Sequence, residues 1–212
     1  VVTFYTSFEF TWIGVPWLPI ALVGTAVAFY LGFKNNAAYD RLWEARKIWG
    51  GIVNSSRTWG IMSRDFVTNE YANERLSQTE LQKIHSRLIH RHIAWLYALT
   101  FQLREPKPWE HNNGKSTKNR IAFDTDAKPE RYDYLKQFIC TEDFTYISTK
   151  QNRAVQLLSL QSKDLKELKS KGLIDDFRHM EMKKLLEKFY TLQGQSERIK
   201  NFPFPRQDAS VN

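Results

Sequence analysis

The sequence predicts an all-α fold, and three observations predict it. Apolar residues recur every three or four positions along most of the chain, the spacing of one helix face. No stretch alternates apolar and polar residues as a half-buried strand does, and no hairpin signal joins two such stretches. Ser77, followed three residues later by Glu80, has the pattern of a capping box, in which side chain and backbone satisfy each other at a helix start.

The elements follow in chain order. Residues 10–33, "FTWIGVPWLPIALVGTAVAFYLGF", contain no charge. As a helix this run would measure about 36 Å, enough for a bilayer core that needs about 20 apolar residues. Trp12 and Trp17 lie near one end, as interfacial aromatics do, while Lys34, Arg41, Arg46 and Lys47 follow the other. That asymmetry puts the C-terminal end of the run on the cytoplasmic side. Pro16 and Pro19 are expected to interrupt helical hydrogen bonding. Gly14, Gly24, Thr25, Ala26 and Ala28 are small enough for close helix approach. A plain anchor needs none of these features; a packed or pore-lining helix uses all of them.

Beyond the run, Tyr39, Leu42, Trp43, Trp49, Ile52, Val53, Trp59, Met62 and Phe66 predict a helix from Ala37 to about Phe66 with one apolar stripe. Leu81, Ile84, Leu88, Trp95, Leu99 and Leu103 form the stripe of the next helix. The stretch "REPKPWEHNNGKSTKNR" has prolines, Asn-Asn-Gly and mixed charge, and reads as a surface loop. Tyr132 to Cys140 reads as a short helix. Asn152 to Ser170 is expected to be helical, with Ala154, Val155, Leu158 and Leu165 inward. Gly172 ends it, and Leu173 to about Ile199 forms the last helix, with Phe177, Met180, Leu185, Phe189 and Leu192 on one side.

Composition narrows the function. The chain has 212 residues and a net charge of +8, which favours acidic or anionic partners. Its basic residues are spread over every helix among 23 acids, so nucleic acid is not an expected partner. Cys140 is the single cysteine; it is expected to be a small buried residue, with neither a disulfide nor a cysteine metal cluster. His85, His90 and His92 do not pair at i, i+4 and are expected on a solvated helix face; the charge run "KDLKELKSK" is expected on a solvated face or an inter-subunit rim. Asp175 and Asp176 most simply begin a helix, where the dipole favours acids. Neither a Gly-rich phosphate loop nor a nucleophile elbow occurs, and no motif points to an enzyme. The opening at Val1, without Met, suggests a piece of a longer chain.

Three blocks carry a resemblance. "LPIALVGTAVAFYLGFKNNAAYDRLWEARKIWGGIVNSSR", "RHIAWLYALTFQLR" and "QGQSERIKNFPFPRQ" occur in that order and together resemble the bacterial bestrophin-like family from Val1 to Arg206. The resemblance implies a homopentameric channel in the bacterial inner membrane, all-helical, with one axial pore for permeant inorganic ions, chiefly chloride or other anions. A cation-conducting homolog and a non-conducting soluble or membrane-anchored scaffold are the alternatives. It divides the chain into residues 1–9 as the end of a preceding membrane helix, 10–34 as the pore-lining span, 35–206 as a cytoplasmic helical region and 207–212 as the start of a connection to a further span. It implies a pore neck at Leu18, Leu22 and Ala26, four apart on one helical face, and a cytoplasmic aperture at Met180, beside His179. Partners are then other copies of the chain and membrane lipid. No cofactor is implied, and no calcium site carries over from the animal relatives. Asp208 stands where relatives tend to carry a tyrosine, which is a departure from the pattern.

Overall fold

The computed structural model describes residues 17–105 and 129–202. All the regular elements in them are helices: α1 (Trp17–Asp65), α2 (Gln78–Arg104), a 3-10 helix (Pro129–Gln137), α3 (Thr141–Ser148), α4 (Arg153–Ser170) and α5 (Asp176–Asn201). The predicted all-α class holds. The expected loop after Arg104 falls largely outside the described residues. The chain divides into two compact units, Val1–Arg46 and Lys47–Asn212.

In the second unit, α2 and α4 share the largest helix contact, and α5 packs on α4 and α2. Leu88, Trp95, Leu99, Leu158, Leu165 and Phe189, all almost wholly buried, form the middle of its core. At roughly 1.5–3 kcal/mol for each large apolar side chain removed from water, burial of this kind holds the helices together.

The ends of these helices are fixed by local chemistry. The Ser77–Glu80 capping box is formed: the Glu80 backbone N–H donates to the Ser77 hydroxyl at 3.3 Å, and the Ser77 N–H donates to the Glu80 carboxylate at 2.9 Å. Asp175 caps α5 by accepting from the Arg178 N–H at 2.8 Å, as its position before the helix suggests. At the end of α4, Gly172 has φ 71°. Its N–H donates to the Lys169 carbonyl, and the Leu173 N–H donates to that of Leu168. This is a Schellman cap, which needs a left-handed residue. The same turn anchors the segment after α1, through Thr68 N–H to Leu173 O and Asn73 N–H to Lys171 O.

Several expectations are corrected. Pro19 does not break α1. It lies in the first turn, where a missing N–H costs no intrahelical bond. The short helix expected over Tyr132 to Cys140 is present as a 3-10 helix over Pro129–Gln137, ending earlier than expected, and Cys140 starts the unexpected α3. Cys140 is exposed rather than buried, because it occupies that N-cap position. Its thiol is raised above the usual range, chiefly by desolvation, so it is a poor source of thiolate. α5 begins at Asp176 rather than Leu173. Leu173 and Ile174 are buried ahead of its cap, while Phe177 is 85% exposed instead of inward.

Candidate functional site

α1 carries most of the residues to which a function attaches. In the first unit, every described side chain from Pro19 to Phe33 is exposed, including Ile20, Leu22, Val23, Val27, Phe29 and Leu31. These positions surround the helix, so this stretch is apolar on all sides. A helix of that kind is stable only when buried in lipid or in other protein, and the described chain supplies no cover. Among the described residues, no helix is long and apolar enough to cross a membrane. The expected span 10–34 begins outside the described residues, and the described apolar stretch alone is shorter than the ~20 residues a bilayer core needs. Of the expected neck, Leu22 is 67% exposed and Ala26 is exposed. Leu18 belongs to the helix, but its side chain lies outside the described set.

In the second unit α1 has two faces, not one stripe. Ile48, Ile52, Ser55, Trp59 and Ser63 are buried in the core, with Trp59 only 1% exposed. Trp49, Val53 and Ile61 look outward. Gly60 lies on the outward side as well, and a Cβ there would meet nothing within 4 Å. Trp59, on the same predicted stripe as Trp43 and Trp49, is therefore buried where they are exposed. Its indole N–H donates to the Leu88 carbonyl at 3.4 Å, and its ring meets Phe189 edge-on. Trp43 and Trp49 remain 46% and 38% exposed. In the first unit the Trp43 ring stacks on Tyr39.

Met180 sits on the second turn of α5 and is 58% exposed. The apolar side chains that reach the core from this helix are Met182, Leu185, Leu186, Phe189 and Leu192, so Met180 is not ordinary core. Neighbouring His179 is held below the usual imidazole range, first by desolvation and then by Lys169 and Lys183. The neck residues belong to the first unit and Met180 to the second.

Two polar groupings escape a sequence reading. Arg91, 5% exposed, donates to Asp164 on α4 and to Asp143 on α3, and Arg87 reaches the same Asp164 oxygen at 3.1 Å. Two cations and two anions thus compensate one another where burial of a lone charge would be costly. Asp164 comes from the run expected on a solvated face or an inter-subunit rim. At the junction of α2, α4 and α5, Glu197 accepts hydrogen bonds from Gln102 at 2.9 Å, Asn152 at 3.0 Å and Gln193 at 2.8 Å. Gln193 in turn accepts the Trp95 indole N–H at 2.9 Å. The residues of the third block, "QGQSER", serve here as an internal brace.

His90 is exposed, as expected, but the other two histidines do not lie on a solvated face. His92 is 7% exposed and pairs with the Ser56 hydroxyl at 2.9 Å. His85 pairs with the Val67 carbonyl at 2.9 Å. The signal was available: Arg91 and His92 fall between Leu88 and Trp95 on the inward stripe of α2. Among the described residues, no group of His, Cys, Asp and Glu is arranged to hold a metal ion.

Among the described residues, the fold and site define a class: an all-helical chain whose longest helix keeps apolar surface that those residues leave uncovered. Comparison with known proteins narrows this to a family. A profile described as "Bacterial/Fungal Bestrophin protein" matches residues 1–208, and the chain belongs to that family. It is 39% identical over 103 residues to a voltage-dependent anion channel-forming protein of Ralstonia nicotianae, covering 44% of this chain and 31% of that one. Over 187 residues it is 24% identical to the voltage-dependent anion channel-forming protein YneE of Escherichia coli O157:H7, covering 88% of this chain and 50% of the relative. The crystal structure of a bacterial bestrophin homolog from Klebsiella pneumoniae matches with a TM-score of 0.71 at 22% identity, covering 99% of this chain and 65% of that one. The chain thus spans half or less of these curated relatives and under two thirds of the solved one.

Proposed function

We propose that this chain is part of a channel subunit whose α1 lines an axial pore, and that the full-length protein conducts anions, chloride among them, across the bacterial inner membrane as a homopentamer. The observation that carries the reading is the stretch from Pro19 to Phe33, apolar on every side and exposed throughout its described residues. Lipid and neighbouring copies are the two environments that would cover it, and the names of the relatives point to anion conduction. Leu18, Leu22 and Ala26 then form the neck, where rings of apolar side chains gate by dewetting. Met180 forms the cytoplasmic aperture, a flexible thioether ring that a partly dehydrated ion can pass. Its exposure, and that of Phe177 beside it, leaves both side chains available to symmetry mates.

The test is a reversal-potential measurement on the full-length protein in a planar bilayer under a chloride gradient. Anion conduction moves the reversal potential toward the chloride equilibrium value. A shift toward the cation value identifies a cation channel, and absence of current identifies a non-conducting scaffold. In the same preparation, Leu22→Ala is expected to raise conductance or open probability, and Met180→Ala to relax discrimination between large and small ions of one sign. Unchanged currents in both variants would move the constrictions elsewhere.

A further inference from the structure

His92 sits where three helices meet. Its ring lies 5.2 Å from that of Trp95 on its own helix, 6.2 Å from Trp59 on α1 and 4.7 Å from Phe189 on α5. Its Nε2 contacts the Ser56 hydroxyl of α1 at 2.9 Å. Ser56 has a single hydroxyl proton, and its Oγ donates to the Ile52 carbonyl at 2.7 Å. The Ser56 oxygen is therefore left to accept, and His92 Nε2 must carry the hydrogen. Nδ1 is then the nitrogen that takes up a second proton.

We infer that His92 is a proton-sensitive clasp: neutral, it joins α1 to α2 and α5, and on acidification the charged ring loosens α1 from that contact. The inference does not depend on conduction. A protonated imidazole gains some attraction to the three aromatic faces, but it loses its water. Desolvation wins, lowering the ring's pKa to about 4. The surrounding groups do not offset this. Its polar partner Ser56 on α1 is uncharged, and the nearby amides of Gln161 on α4 and Gln193 on α5, also uncharged, pair with the Leu88 carbonyl and the Trp95 indole. Arg91, next to His92 on α2, is held by Asp143 and Asp164, and Glu197 on α5 is held by Gln102, Asn152 and Gln193.

The sign of the pH effect follows. The released ring takes up its proton near the ordinary value of 6.5, and the packed ring only near 4. Between those values the open state binds more protons, so the clasp is fully present above pH 6.5 and is progressively lost as pH falls toward 4. Two-state linkage at this one site, with these values, puts the change between pH 7 and pH 5 at roughly 20-fold in the opening equilibrium.

Two measurements on the full chain in detergent test this. Histidine-selective carbon-13 NMR is expected to find the Nε2–H tautomer for one histidine, with a midpoint well below the ordinary imidazole range. An ordinary midpoint for every histidine overturns the inference. Hydrogen exchange, corrected for the intrinsic pH dependence of amide exchange, is expected to rise roughly 20-fold in residues 48–63 between pH 7 and pH 5, with little change in residues 157–168. In His92→Gln, which stays neutral, the rise in residues 48–63 should vanish. A parallel rise in both segments would mean ordinary acid unfolding, and an undiminished rise in the variant would assign the effect to another group; either result overturns the clasp.

Discussion

The two units of this chain use similar side chains in opposite ways. In the first, Leu22, Val27, Phe29 and Phe33 are between 49% and 72% exposed and circle the helix. In the second, Ile52, Trp59, Leu88 and Phe189 are at most 1% exposed. Hydrophobic residues stabilise a fold only where something covers them. The second unit covers its own and carries its stability within the chain, with capped helices and the neutralised Arg91 cluster. The first must draw its stability from outside the described chain. A substitution at a covered position should therefore register in unfolding, and one at an uncovered apolar position in assembly or conduction.

The largest expected effect on folding is at Trp59. Trp59→Ala removes a fully buried indole, its hydrogen bond to the Leu88 carbonyl and its contact with Phe189, and should cost about 3–5 kcal/mol. Urea unfolding of the chain in mild detergent measures it. Phe29→Ala, at a residue 64% exposed, should move the same transition by less than about 0.5 kcal/mol. Equal shifts would erase the distinction between the units.

The next effect comes from backbone geometry. At Gly172, φ is 71°, and a Cβ would lie 2.3 Å from the Tyr71 carbonyl oxygen. Gly172→Ala combines a left-handed conformation that L-residues avoid with a backbone clash, and should cost about 1–3 kcal/mol. The loss should centre on the turn that ties residues 68–73 to 171–173, and faster proteolysis there would report it. Undiminished stability would mean that the turn re-forms in another geometry.

What the sequence disclosed follows from how local each signal is. The Ser77–Glu80 box, the Asp175 cap and the stop at Gly172 depend on residues within a few positions of one another, and each stands in the structure as its pattern predicts. The helical class was legible for the same reason, and the family from three blocks. The division of the α1 stripe was not. Ile52 and Val53 are both apolar neighbours, and only packing against α2 and α5 decides that Ile52 is buried while Val53 faces out. His92 was misread because its polar residue type was weighed above its place on the stripe, and its partner Ser56 lies on another helix, far away in sequence. Phe177 was taken as core because it continues a spacing that serves as core only from Met182 onward. Of the candidate site, Leu22 and Met180 are exposed; in the proposed pore they would face other copies of the chain, which no single sequence contains.

A smaller effect on folding than at Gly172 is expected at Trp49, and there the comparison becomes sharpest. Trp49 lies in the self-sufficient second unit, but its side chain is 38% exposed on the outward flank of α1, and Val53 and Ile61 continue that outward surface. If the face serves only water, Trp49→Ala changes little in any assay. If it serves a neighbouring copy, the indole is the kind of rigid, wide contact that dominates interfaces. The expected result is a loss of under about 1 kcal/mol in urea unfolding of the dissociated chain, together with a marked shift from oligomer to monomer when the full-length protein is examined by native mass spectrometry in detergent. The paired readouts separate the causes. A large loss in unfolding would mean that Trp49 belongs to the core of its own subunit. An unchanged oligomer would leave the outward face of α1 without the role assigned to it, and the contact between subunits would have to be sought at Phe177 and Met180 instead.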